Sequence, residues 1–201
     1  YNNEYIEQRL RNYSYLNSGL KLYFNKNKFE SKNGLLDLLM NEVGEDTFYD
    51  IAYYKGKQLE FAFTHTQTYG ETYFSFVNGQ YTNDGGTHQS AYREGVLKGV
   101  NEYFKTNYSG VDVREGIVGA VSIKLQNPVF ESQTKNKLGN TEIRGWIVSD
   151  VRSAVVDFLH KNNDAARKIK EKIVQNEKLR KDLNAVKKEA KAAAKRIEFK
   201  I

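Results

Sequence analysis

A chain of 201 residues, 39% hydrophobic and 28% charged, has enough apolar material for one soluble domain with a polar extension. It holds no cysteine, which excludes disulfides, thiol chemistry and thiolate metal sites and fits a reducing cytoplasm, the expected location. No apolar run nears the roughly 20 residues that span a bilayer. The net charge of +6 is uneven: residues 161–201 carry 14 Lys+Arg against 6 Asp+Glu, a surplus of 8 that leaves −2 on residues 1–160. The first residue is Tyr1, not Met, so a piece of a longer protein is expected.

Asn3 to Asn17 reads as an amphipathic helix with Ile6, Leu10, Tyr13 and Leu16 on one face, and Gly19 stops it. A short strand follows over Leu20 to Phe24. Asn25 to Asn33 reads as a turn or small insertion, and Gly34 to Val43 as a short helix. An antiparallel meander comes next: Phe48 to Tyr54, a turn at Lys55-Gly56-Lys57, Leu59 to Thr64, then Tyr73 to Val77 after a break at Thr68-Tyr69-Gly70. Alternation at Phe61/Phe63 and Tyr73/Ser75/Val77 predicts one buried and one wetter face.

Asn83 to His88 is a tight polar turn, with Gly85 and Gly86 permitting it and Thr87 as N-cap of a helix from Gln89 to Phe104. Tyr108 to Gly116 reads as a loop in which Arg114 and Glu115 form an ion pair or anchor. Ile117 to Leu125 is an apolar strand, and Asn127-Pro128 ends it. Gly139-Asn140-Thr141 caps a helix reaching about Lys161. Asn162-Asn163-Asp164 breaks and recaps, and a last helix runs from Ala165 to about Phe199. Its seven-residue repeat places Ile169, Asn176, Leu183, Ala190 and Ile197 on one seam, with Leu179, Val186 and Ala193 on the second. That stripe is narrow and poor in volume, so the helix is expected to project or to lie along one neighbour.

Catalytic signatures are missing. No phosphate-cradling glycine loop, dinucleotide fingerprint, zinc-protease motif or nucleophile elbow occurs. His65, His88 and His160 lie far apart without acidic or histidine neighbours at ligand spacing, so each reads as structural or surface and no metal site is expected. What remains is the polar loop Phe130 to Asn140, F-E-S-Q-T-K-N-K-L-G-N, held between a strand and a helix. From such a base Lys135 can offer a compact positive charge to a terminal phosphate, with Gln133 and Thr134 adding neutral hydrogen bonds. By residue type alone, a solvated surface loop is the stronger alternative.

Several strings together resemble the B subunits of bacterial type IIA DNA topoisomerases, those of gyrase and of topoisomerase IV. They are I-E-Q-R-L-R-N-Y-S-Y-L-N-S-G-L (Ile6 to Leu20), S-F-V-N-G-Q-Y-T-N-D-G-G-T-H-Q-S-A-Y-R-E-G (Ser75 to Gly95), D-V-R-E-G-I-V-G-A-V-S-I-K (Asp112 to Lys124) and P-V-F-E-S-Q-T-K-N-K-L-G-N-T-E-I-R (Pro128 to Arg144). The resemblance covers nearly the whole chain and leans to topoisomerase IV through F-V-N-G-Q-Y-T-N-D-G-G-T-H.

The resemblance implies an α+β fold like the second domain of ribosomal protein S5, the transducer domain, over residues 1–162. Residues 163–201 are then a long basic helix leading towards a TOPRIM and cleavage region that the chain lacks. It implies that the Q-T-K loop reaches a neighbouring GHKL domain, also lacking here, with Lys135 on the γ-phosphate, Gln133 and Thr134 beside the nucleotide, and Lys137 supporting the loop. ATP and Mg2+ belong to the parent protein, and the piece alone is expected to be inactive. Implied partners are a DNA duplex, a second copy of the parent protein and the A subunit, with no membrane. Two other readings stand beside it: a non-catalytic nucleic-acid-binding module of the same fold, supported by the basic tail, and an interaction protein built on the last helix.

Overall fold

The computed structural model describes residues 2–198; Tyr1, the expected helix end at Phe199 and the side chain of Ile197 lie outside the described residues. In chain order the elements are α1 (Asn3–Leu16), β1 (Leu22–Phe24), β2 (Asn27–Phe29), α2 (Leu35–Val43), β3 (Ala52–Lys55), β4 (Leu59–His65) and β5 (Thr72–Val77). There follow β6 (Gln80–Tyr81), α3 (Thr87–Phe104), α4 (Gly110–Arg114), β7 (Ile117–Ile123), α5 (Arg144–Lys161) and α6 (Asn163–Glu198). The α+β class and the long last helix agree with the sequence.

Five strands form one sheet in the order β3-β4-β7-β5-β6. Strand β7 is central, antiparallel to β4 and parallel to β5, although it follows β5 by some forty residues of chain. The long connection is what a parallel neighbour requires, and the 18 residues of α3 are its longest element. On one face Phe61, Phe63, Val121 and Ile123 meet Tyr92, Val96 and Val100 of α3 and Ile147, Val151, Val155 and Leu159 of α5. On the other face Ala62, Phe76, Val118 and Ala120 meet Tyr15 of α1 and Leu35, Leu38 and Leu39 of α2. The expected wet face is therefore absent from the central strands. Alanine and valine between the aromatic positions mark the second covered face, where α2 lies close to the sheet.

Helices α3 and α5 pack tightly because α3 presents bare backbone to its neighbour. A Cβ on Gly99 would stand 2.7 Å from the Cβ of Val155, and one on Gly95 2.6 Å from that of Val151. Fully burying each Val, Leu or Phe in this layer contributes about 1.5–3 kcal/mol.

Several local expectations are corrected. Residues Leu22 to Phe29 form a separate two-stranded hairpin, turning through Asn25 and Lys26 at positive φ. The most buried residues of α1 are Ser14 and Tyr15, whereas Tyr13 is exposed and lines a groove. Asp112 to Arg114 lie in a helical turn, α4, not a loop. Gly86, not Thr87, holds the N-cap position of α3, and Thr87 is already helical. Asn140 does not cap α5, which starts at Arg144 after an Ile143 N-cap without a side-chain bond. The break before α6 is the single residue Asn162, whose amide donates to Phe158 O at 2.8 Å.

Helix α6 packs on the body and then leaves it. Ala165, Ala166, Ile169, Ile173 and Asn176 are buried, yet every side chain from Lys181 to Lys195 is exposed. Leu183 and Val186, on the repeat's two seams, are 52% and 63% exposed. Asn176, a polar seam residue by its place in the repeat, donates its amide to Asp112 O at 3.0 Å and Glu115 O at 3.2 Å, closing the C-terminal end of α4. No helix of the described residues is long and apolar enough to cross a membrane.

Candidate functional site: the lysine loop

The loop begins after β7 leaves the sheet, and its neck is closed by backbone. Gly139 N donates to Val129 O at 2.8 Å, Glu131 N to Lys137 O at 3.0 Å, and Phe130 and Leu138 pair as an antiparallel bridge. Asn140 locks this neck from below. Its Oδ1 accepts from Val129 N at 2.6 Å, and its Nδ2 donates to Asn127 O at 3.2 Å and Glu142 Oε1 at 2.7 Å. A buried Asn with both ends bonded holds the two arms of the loop at fixed spacing.

The tip is a tight turn. Lys135 N donates to Ser132 O at 3.1 Å, Lys135 adopts φ +57, and the Ser132 and Thr134 hydroxyls lie 2.6 Å apart. Glu131 through Lys135 are all exposed. Gln133, Thr134 and Lys135 are thus brought together on one turn, in three different settings. The Thr134 hydroxyl is engaged with Ser132, and Thr134 with Asn136 lines a cavity of about 570 Å³ between α1 and β5–β6. Lys137 pairs with Glu131 at 3.1 Å and supports the loop. Lys135 has no ion-pair partner among the described residues, and Gln133 makes no side-chain hydrogen bond among them.

The loop also leans on the turn before α3. Asp84 N donates to Asn136 O at 3.0 Å, Leu138 N to Gly85 O at 3.2 Å, and Thr87 N to Leu138 O at 3.0 Å, with Gly86 and Leu138 forming a parallel bridge. Sequence offers one signal for this contact between two motifs some fifty residues apart: Leu138, an apolar residue on the far arm of a polar loop.

The histidines serve the interior. Val113 O lies 2.7 Å from Nε2 of His65, so that nitrogen carries the proton and Nδ1 accepts from the Tyr49 hydroxyl at 2.6 Å. Burial, reinforced by the charge of Lys172 and only partly offset by the Val113 carbonyl, lowers His65 to about 4. Burial likewise lowers His88 to about 4. His160 is exposed and stands edge-on to Tyr103. Arg114 and Glu115 anchor the loop before β5, with Arg114 bonded to Glu71 at 3.2 Å and Glu115 Oε1 accepting from Gly70 N at 2.8 Å.

Chemically, Lys135 and Gln133 offer an ammonium without an ion-pair partner and an amide without a side-chain hydrogen bond among the described residues, on a braced base, a set that suits an anion approaching from outside. The DNA gyrase B family model matches residues 3–189. The chain belongs to that family. It is 52% identical to the B subunit of DNA topoisomerase 4 from Borreliella burgdorferi, across 100% of its own length and 34% of that protein. It is 35% identical to the B subunit of DNA gyrase from Clostridium acetobutylicum, over 81% of this chain and 29% of that one. The chain therefore spans about a third of each relative. Among solved structures, the 43K ATPase domain of Thermus thermophilus gyrase B in complex with an aminocoumarin superposes with a TM-score of 0.79 at 28% identity, covering 94% of this chain and 56% of that one.

Proposed function

We propose that this chain is the transducer part of the ATPase region in the B subunit of a type IIA topoisomerase, with residues 1–162 as the body and 163–201 as the helix towards the cleavage region. The observation that carries the reading is Lys135: an exposed cation with no ionic partner among the described residues, at the tip of a loop whose neck is fastened by Asn140 and by the α3 turn. The γ-phosphate of ATP, held with Mg2+ mainly by a GHKL domain of the parent, is its proposed ligand, and Gln133 and Thr134 complete the contact. An ammonium at that phosphate stabilises charge gathering on its oxygens during phosphoryl transfer; it is neither nucleophile nor base.

The proposed partners are a second copy of the parent protein, the A subunit and a DNA duplex. The basic surface from Lys181 to Lys195 offers exposed cations for phosphate contacts that do not read sequence. The higher identity to a topoisomerase 4 relative than to a gyrase relative supports assignment to topoisomerase IV. The test is DNA-stimulated ATP turnover by the full-length parent with its A subunit. Lys135→Ala is expected to lower kcat by about 10²–10³, and a near-normal rate refutes the assignment of Lys135.

A further inference from the structure

We infer that Ser75, Thr82, His88 and the Gly85–Gly86 turn are positioning residues for Lys135, an inference that rests on the phosphate-sensing reading of the lysine loop. The loop has little footing of its own. Glu131 to Lys135 are exposed, and only Leu138 and Asn140 are buried. Leu138 is gripped on one side by Phe130 and on the other by Gly86, so residues 136–138 stand where the turn at 84–87 puts them.

Gly86 has φ +132, and a Cβ there would overlap the carbonyl oxygen and amide nitrogen of Leu138. Any other residue at this position forces the loop away from the turn. That contact is steric; the turn itself is held by polar bonds in a dry place. Gly85 N donates to Thr82 O at 3.0 Å and Thr82 N to Ser75 O at 2.9 Å. The Thr82 hydroxyl donates to Ser75 O at 2.9 Å and lies 3.1 Å from His88 Nε2. Ser75 Oγ reaches Gln89 Oε1 at 3.0 Å. Ser75, Thr82 and His88 are each no more than 1% exposed.

The Thr82 hydroxyl stands at the centre of the cluster, within hydrogen-bond reach of Ser75 O, of Ser75 Oγ at 2.7 Å and of His88 Nε2. Nδ1 has no partner among the described residues. A half-satisfied buried imidazole works against stability. What it supplies is a ring nitrogen 3.1 Å from the Thr82 hydroxyl, and buried polar networks of this kind hold one arrangement where apolar packing tolerates several. The chain of contact runs from β5 through Thr82 to the turn, then to Leu138, and so to Lys135.

Two measurements test this. In the chain described here, amide hydrogen exchange at Thr87 and Leu138 is expected to speed up at least about tenfold in Thr82→Val, with Val121 in β7 unchanged; unaltered exchange at both overturns the proposal. In the full-length parent, Thr82→Val is expected to lower kcat for ATP about tenfold with KM moved less than about threefold, and Thr82→Ser to restore it. The double variant Thr82→Val/Lys135→Ala is expected to be no slower than Lys135→Ala alone. A double variant slowed by the full additional factor shows a role independent of Lys135 and overturns the inference. Gly86→Ala attacks the same contact sterically and takes the place of Thr82→Val if that variant does not fold. A wild-type rate for Lys135→Ala sinks the phosphate reading instead, while the exchange result still decides whether the cluster fixes the loop.

Discussion

Arg180 of α6 grips Asp112 of α4 through two parallel hydrogen bonds of 2.7 Å each, across 68 positions of sequence. The partners are not equivalent: Asp112 is 3% exposed, whereas the Arg180 side chain is 37% exposed. Removing Arg180 strands a carboxylate in the interior, while removing Asp112 frees a guanidinium that can turn to water. We expect Arg180→Ala to cost more stability than Asp112→Ala, read as urea midpoints at constant m. Equal losses would contradict the asymmetry.

The close crossing of α3 and α5 makes a second prediction. Gly99→Ala gains helix propensity of about 1 kcal/mol but drives its methyl into Val155. Overpacking of this kind costs about 1–3 kcal/mol, so a net loss of stability is expected, and Gly99→Ala with Val155→Ala is expected to recover part of it. A single variant more stable than wild type in thermal unfolding would show that the helices separate without penalty.

His65 and His88 make stability fall on the acid side. Both are lowered to about 4 when folded, below the ordinary value of 6.5, so the unfolded chain takes up protons first as pH falls. Their contribution is complete above pH 6.5 and is lost between 6.5 and about 4. Each histidine removes about 1.4 kcal/mol per pH unit inside that window. Urea unfolding at about pH 7, 6 and 5 is expected to show a steepening decline; a flat profile would rule out neutral buried imidazoles.

Beyond Arg180 the last helix contributes little to the fold. Deleting residues 182–201 is expected to change unfolding free energy by less than about 1 kcal/mol, because every side chain from Lys181 to Lys195 is exposed. Deleting from Ile169 onward is expected to unfold or severely weaken the chain, since Ile169 and Ile173 are fully buried. Circular dichroism with urea titration of the two truncations separates these outcomes.

Periodicity makes much of this structure readable. The helices at 87–104 and 144–161 and the strand at 117–123 stand out because each repeats apolar residues at its own spacing. The second covered face does not, because Ala62 and Ala120 are too small to declare burial by themselves. The Leu22–Phe29 hairpin is hidden by its polar turn, and α4 by its five-residue length. In the lysine loop, residue type exposes Lys135, but the bracing comes from distant partners. Asn140 reads as a helix cap since Asn before a helix usually is one, yet its bonds to Val129 and Asn127 serve the loop neck. Likewise Asn176 reads as part of a coiled-coil seam, and its actual acceptors are carbonyls at α4 that only tertiary folding brings near.

The 36 residues of α6 make a rod of about 54 Å, of which about 27 Å lies past Arg180. A rod seated in this way multiplies angle into distance. A tilt of about 10° at the Asn176–Arg180 seat would carry the free end through about 5 Å. Glu115, whose carbonyl helps form that seat, stands just before β7, the strand whose far end feeds the lysine loop. The seat of the rod and the lysine loop thus adjoin opposite ends of one central strand.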